Sequence, residues 1–150
     1  MKTLLKLCLL SLCVPFAAHA AAPTEQDAIA MVQKALAYSK TNGTAQLVEA
    51  VNSKSPEFVE GELYVMIINS ADSVLLADPT NEQLIGINVL EMQDVDGTEF
   101  GKDLLEVADV NGKGWVGFVY KNPITNRSER KRAYVEKFGD IYAVAGIYQH

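Results

Sequence analysis

Three extended runs near the C-terminus, GWVGFVYK (114–121), ERKRAYVEKF (129–138) and IYAVAGIY (141–148), limit most strongly what this chain can fold into. They are rich in β-branched and aromatic residues, which fit a pleated, half-buried surface. Asn122-Pro123 separates the first run from the second, and Gly139-Asp140 joins the second to the third in a turn tight enough for a hairpin. Upstream, LYVMIIN (63–69) and VLLA (74–77) flank the turn residues Ser70-Ala71-Asp72-Ser73, and the pair reads as another hairpin that ends at Asp78-Pro79. Five strands in this order predict an antiparallel sheet.

What surrounds the strands is helical. Ile29, Val32, Ala35 and Leu36 recur at helical spacing after Thr24, which forms a capping box with Asp27, and Asn42-Gly43 supplies the stop. A shorter helix starts at Thr44, carries Leu47, Val48 and Val51, and ends before Ser55-Pro56. Residues 79–97 are irregular, and Phe100, Leu104, Leu105 and Ala108 then repeat helically up to Asn111-Gly112. Helices, two strands, a helical crossover and three strands make an α+β domain of about 130 residues, enough for one core.

The first twenty residues belong to none of this. Lys2 and Lys6, an apolar run from Leu7 to Phe16 and the small-x-small pattern Ala18-His19-Ala20 have the form of a cleaved secretory signal. The run is shorter than the roughly 20 residues that cross a bilayer, and no later segment is longer. A lipoprotein signal would use Leu10-Ser11-Leu12-Cys13, where Leu12 is bulky at a position that favours a small residue. The expected mature chain is one domain, residues 21–150, in the periplasm, with no transmembrane segment.

Cleavage there removes Cys8, Cys13 and His19, and leaves His150 as the one histidine. Disulfides, thiolate nucleophiles, cysteine-bound zinc and Ser-His-Asp chemistry drop out with them. Losing Lys2 and Lys6 takes the 13 basic residues to 11 against 19 acidic ones, a net charge of −8. A nucleic-acid partner is not expected of so acidic a chain, because phosphate binding needs a dominant positive face. No pair of carboxylates is singled out by spacing as an acid and base, so no enzymatic activity and no cofactor is expected.

Two motifs have simpler readings than a ligand site. Asp94-Val95-Asp96-Gly97 resembles a calcium loop, but with Gly97 as its glycine the first ligand position falls on Met92, which is no ligand for a hard cation. A turn capping the next helix accounts for it better, and no metal is expected. Gly112-Lys113-Gly114 leads into a strand, whereas phosphate loops lead into a helix, so it too reads as a turn.

The stretch SERKRAY (128–134) holds three adjacent cations that strand alternation divides. Lys131 shares a face with Ala133 and Val135, while Arg130 and Arg132 share the other with Tyr134 and Glu136. If Ala133 and Val135 face inward, so does Lys131; it then either bends its ammonium out to water along its stem or meets an anion, such as a ligand carboxylate. Tyr64, Trp115, Phe118, Tyr120, Tyr134, Tyr142 and Tyr148 all fall on predicted strands. Most such rings are core, but tyrosine and tryptophan also bring polar tips that suit a small ligand in an apolar cavity.

Taken in order, GELYVMIIN, LLADPTNEQLIG, the DVDG turn, GKGWV, the NPIT turn, Lys131, Tyr134-Val135-Glu136 and AVAGIY resemble the single Cache domains, extracytoplasmic sensor modules of bacterial receptors. The likeness runs from about Glu60 to Tyr148, and the N-terminal helix suits the family's long first helix. It implies a PAS-like five-stranded antiparallel sheet whose pocket takes small organic ligands, often short carboxylates. It also implies that Lys131 matches the pocket lysine, with Trp115, Tyr134 and Tyr64 at positions that tend to line it; Tyr120 is a further candidate. Alternation sets Lys131 and Tyr134 on opposite faces, so both serve only with a bulge or an approach from the sheet's edge.

There are departures. Asp78 stands in Ala77-Asp78-Pro79 where the family often has histidine, and Gly117-Phe118 follows Trp115 where an Asp-Tyr pair is common. An aspartate at the pocket would repel a second carboxylate or receive an amine. A free-standing form, without an output domain after His150, is expected. The expectation is a free-standing periplasmic sensor for a small carboxylate that acts with a membrane partner in signalling. The alternative is an interaction module with a vestigial pocket that docks a membrane receptor or transporter.

Overall fold

The computed structural model describes residues 21–149, so residues 1–20, where a secretory signal is expected, lie outside the described residues. Helix α1 (Glu25–Asn42) is opened by Thr24, whose hydroxyl accepts from the Asp27 amide while the Asp27 carboxylate accepts from the Thr24 amide, closing the capping box. Gly43, at φ 92°, ends α1 in a conformation that disfavours a side chain and starts α2 (Thr44–Asn52). Strands β1 (Val59–Glu60), β2 (Leu63–Asn69) and β3 (Leu75–Ala77) follow. Two 3₁₀ turns, Glu82–Leu84 and Val89–Glu91, lead to α3 (Phe100–Asn111), and β4 (Lys113–Lys121), β5 (Ser128–Phe138) and β6 (Ile141–Tyr148) complete the fold.

The strands form one antiparallel sheet in the order β1-β2-β6-β5-β4, with β3 also paired to β2. Five strands were expected and six are present, because Val59–Glu60 adds a strand too short to show any period along the start of β2. The Gly139-Asp140 turn pairs Phe138 with Ile141, and the register then runs unbroken to Lys131 opposite Tyr148. Strand β4 pairs with β5 without a bulge from Lys113–Glu136 to Lys121–Ser128.

Both faces of the sheet are covered, so β2 reads as an almost continuous apolar run. On one face α1 and α2 pack Val32, Ala35, Leu47 and Val51 onto Val65, Ile67, Ala143 and Ala145. On the other, α3 and the 3₁₀ turns pack Val89, Phe100, Leu104 and Leu105 onto Met66, Phe118, Val135 and Val144. Gly114 allows the approach of α3 to β4, since a Cβ there would stand 2.7 Å from Val107 Cγ2.

The DVDG and GKG stretches are structural. Asp94 Oδ1 accepts the amides of Asp96 and Thr98, and Oδ2 accepts that of Val119, which fastens the turn to β4. Gly112, in the left-handed region at φ 78°, caps α3.

Gly101 sits where α3 abuts the turn at Val89–Glu91, and a Cβ there would lie 1.8 Å from the Val89 carbonyl oxygen. An exposed helical Gly→Ala change gains up to about 1 kcal/mol, but here the backbone of the turn must move. Gly101→Ala is therefore expected to destabilise by roughly 1–3 kcal/mol, read as a lower urea midpoint with an unchanged slope. An unchanged or raised midpoint would mean that the helix is not seated on that carbonyl.

Candidate functional site

Unbroken pairing of β5 with both neighbours directs Lys131 to the α3 face of the sheet, the same face as Ala133 and Val135. Its side chain does not bend out to water: Lys131 is 2 % exposed. The stem crosses β6 at Gly146, where a Cβ would come within 2.6 Å of Lys131 Cε, and so reaches Tyr64 on β2. Only a glycine leaves this passage open.

The ammonium ends among three phenols. Lys131 Nζ donates to the Tyr64 hydroxyl at 2.9 Å and, more weakly, to the Tyr148 hydroxyl at 3.5 Å. It lies 4.1 Å from the Tyr64 ring centroid, 4.8 Å from that of Tyr148 and 5.3 Å from that of Tyr120, within cation–π range of all three. Tyr148 passes its own proton to the Lys121 carbonyl at 2.9 Å. The ion pairs among the described residues do not include Lys131.

Desolvation pushes the Lys131 ammonium down to about 7, against the opposing pull of Asp78 and then Glu62. Burial raises the phenols of Tyr64, Tyr120 and Tyr148, so at neutral pH they keep their protons. The chamber thus has a cation held by neutral dipoles and carboxylates at a remove.

Asp78 is the nearest of these in effect and is fully buried. Its Oδ1 accepts the Thr80 amide at 2.8 Å, the Thr80 hydroxyl at 2.7 Å and the Asn81 amide at 3.2 Å, an Asx turn that fixes the carboxylate just after β3. Its Oδ2 is buried and has no protein donor. Glu62 accepts from Asn122 Nδ2 at 2.8 Å, which ties the start of β2 to the NPIT turn.

Lys131, Tyr64, Tyr120 and Asp78 are therefore brought together, and Trp115 and Tyr134 are not. Trp115 and Tyr134 pair across β4 and β5 on the α1 face, their rings 5.3 Å apart, and the Tyr134 hydroxyl donates to Glu136. No bulge intervenes between Lys131 and Tyr134, so strict alternation holds them on opposite faces. The sequence names Tyr148 only among the strand aromatics, and its pattern does not single out Gly146, Thr80 or Glu62. Counting back from the two-residue turn at Gly139-Asp140 would have placed Tyr148 opposite Lys131.

A cleft of about 610 Å³ opens between the Pro79–Gln83 segment and the end of β4, and its walls include Thr80 and Tyr120. Tyr120, whose ring faces Lys131 Nζ, and Thr80, which donates to Asp78, stand between this cleft and the buried ammonium. A somewhat larger cleft, about 670 Å³, lies between the start of α1 and the approach to β2, lined by Asp27, Met31, Lys34, Glu57, Glu60 and Leu63 among others. Size does not decide between them: the ring of a wall residue of the first, Tyr120, faces the buried ammonium of Lys131, and no wall residue of the second presents a ring to it.

The structure is thus a single antiparallel sheet with helices on both faces and a buried ammonium ringed by phenols on the α3 face. The profile of the single Cache domain 2 family matches residues 19–148, and the chain belongs to that family. Among solved structures it is similar to a methyl-accepting chemotaxis protein from Vibrio parahaemolyticus RIMD 2210633, with TM-score 0.70, 17 % identity and coverage of 82 % of this chain and 86 % of that one. The periplasmic sensor domain of a chemotaxis protein matches with TM-score 0.66, 17 % identity and coverage of 83 % and 90 %. A Cache chemosensory domain described for carboxylic acid recognition matches with TM-score 0.64, 19 % identity and coverage of 83 % and 88 %. Comparison with curated proteins gives no match. No helix among the described residues is long and apolar enough to cross a membrane.

The position of Lys131 has a consequence for pH. Its native value of about 7 lies below that of a lysine in the unfolded chain. The cost of burying the charge is present in full below about 7 and is relieved as the pH rises, because the native state releases a proton that the unfolded chain still holds. Wild type is expected to gain stability relative to Lys131→Met by roughly 1.4 kcal/mol per pH unit between about pH 7 and 10. Urea midpoints of both proteins at several pH values check this, and a constant difference would show that the native ammonium never loses its charge in that range.

Proposed function

We propose that this chain is a periplasmic sensor domain that binds a small organic carboxylate in the Lys131 chamber and acts with a separate membrane partner in signalling. The observation that carries the reading is the burial of a lysine without an ion-pair partner. A protein rarely keeps such a group for stability alone, because desolvating a charge costs several kcal/mol and a hydrophobic residue of similar size packs there at less cost. An anion entering the chamber reverses that balance. It supplies the missing countercharge, raises the ammonium's pKa and converts a destabilising group into an anchor.

The roles follow from position. Lys131 holds the carboxylate; Tyr64 and Tyr148 keep the ammonium aimed and add neutral donors; Tyr120, at the boundary with the cleft, covers the entrance. Membership of the single Cache domain 2 family supports a sensory rather than a catalytic use of this chamber. The carboxylic acid recognition described for one similar Cache domain supports the ligand class. The signal-like residues 1–20 support export.

A screen of short organic acids and amino acids by thermal shift and isothermal titration tests the reading. At a hundredfold excess over Kd a bound ligand adds about 2.7 kcal/mol, a rise in Tm of several degrees. Lys131→Met is expected to weaken binding at least tenfold. The reading fails if no member of the screen moves the melting temperature, or if Lys131→Met responds as wild type does.

A further inference from the structure

Among the described residues two buried side-chain acceptors have no protein donor, Asn52 Oδ1, whose own amide donates to the Leu76 carbonyl, and Asp78 Oδ2, which is the charged one. Its twin Oδ1 is saturated by Thr80 and Asn81, so the carboxylate cannot turn to find another partner without losing three hydrogen bonds. The hydroxyl of Thr80 donates to Asp78 Oδ1, and Thr80 lines the cleft together with Tyr120, whose ring centroid is 5.3 Å from Lys131 Nζ, so Asp78 stands beside the same end of the sheet as the buried ammonium. Yet Asp78 and Lys131 are not an ion pair. None of the neighbouring phenols donates to Oδ2: Tyr148 donates to the Lys121 carbonyl, and Tyr64, which accepts from Lys131 Nζ, makes no hydrogen bond to it. The chamber therefore has a cationic donor on one wall and an anionic acceptor, short of a donor, on another.

A simple carboxylate satisfies only the first. It leaves Oδ2 unpaired and adds a second negative charge near Asp78 and Glu62 in a low-dielectric space, where like charges repel strongly. A ligand that also has an ammonium satisfies both walls and leaves the total charge of the site unchanged. A hydroxyl in the same place would fill the hydrogen bond but not the charge.

Resting on the reading of the Lys131 chamber as the ligand site, we propose that its ligand is a small zwitterionic amino acid, with its carboxylate on Lys131 Nζ, its ammonium on Asp78 Oδ2, and Asp78 setting the specificity. Isothermal titration of the wild-type protein with matched pairs that differ only in the ammonium tests this: alanine against propionate, leucine against 4-methylpentanoate, and phenylalanine against 3-phenylpropionate. In at least one pair the amino acid is expected to bind tenfold or more tightly than its deaminated partner, and lactate is expected to fall on the weaker side of alanine. Asp78→Asn should cancel the preference, weakening the amino acid at least tenfold while the plain acid holds or gains.

Binding of the plain acid as tightly as the amino acid overturns the proposal but leaves the carboxylate sensor intact. An amino-acid preference that survives Asp78→Asn removes Asp78 from the role. Binding of neither class defeats the sensor reading and the proposal with it. The wild-type pairs need no variant to fold.

Discussion

The buried ammonium of Lys131 is the interaction on which the α3 side of the structure depends. One charge taken out of water requires Gly146 to let its stem through, Tyr64 and Tyr148 to accept its protons and three aromatic rings to face it. These residues lie on β2, β4, β5 and β6, so the ammonium draws together four of the six strands. The arrangement is costly at neutral pH, since phenols and ring faces offset less of the lost hydration than a carboxylate would. Carboxylates are present, but Asp78 is fixed by its own turn and Glu62 is engaged by Asn122.

The two faces of the sheet divide the work. The α1 face is built for adhesion: small and branched residues of β2 and β6 meet an apolar stripe of α1, and Trp115 and Tyr134 extend that contact toward the β4 edge. The α3 face carries more functional polar groups because its cover, two 3₁₀ turns and a single helix, leaves the Lys131 end of the sheet to side chains and the Pro79–Gln83 segment. The buried ammonium at that end leaves the helix packing on the far side undisturbed.

Much of this was legible in the sequence, and for identifiable reasons. Periodicity and turn residues located the three helices and the long strands, because the capping box at Thr24, Gly43 and the Gly139-Asp140 turn are local chemistry that tertiary contacts did not override. Alternation set Lys131 and Tyr134 on opposite faces of the sheet, and because both faces are covered, both side chains are buried. Other features were less accessible. Strand β1 is two residues long and has no period of its own. The role of Gly146 depends on a contact with a side chain fifteen positions away, and Glu62 reaches the site through β2 pairing with β6, a relation between strands far apart in sequence. Asp78 was visible as a departure from a family pattern, but its orphaned oxygen emerges only from the hydrogen bonds that saturate the other one.

The three cations of SERKRAY illustrate how one strand serves both faces. Arg130 is exposed, and Arg132, on the α1 face, lies over the Trp115 ring at 5.1 Å and pairs with Glu25 in the first turn of α1. Lys131, between them, has no such exit and ends in the chamber. An exposed pair such as Arg132–Glu25 adds little to stability, so its value lies in position rather than strength. Because Lys131 and Arg132 are consecutive on a strand hydrogen-bonded on both sides, the backbone that carries the buried ammonium also carries the contact to the start of the first helix. A displacement of β5 on one face is then necessarily a displacement on the other, and no separate element is needed to connect the chamber to α1.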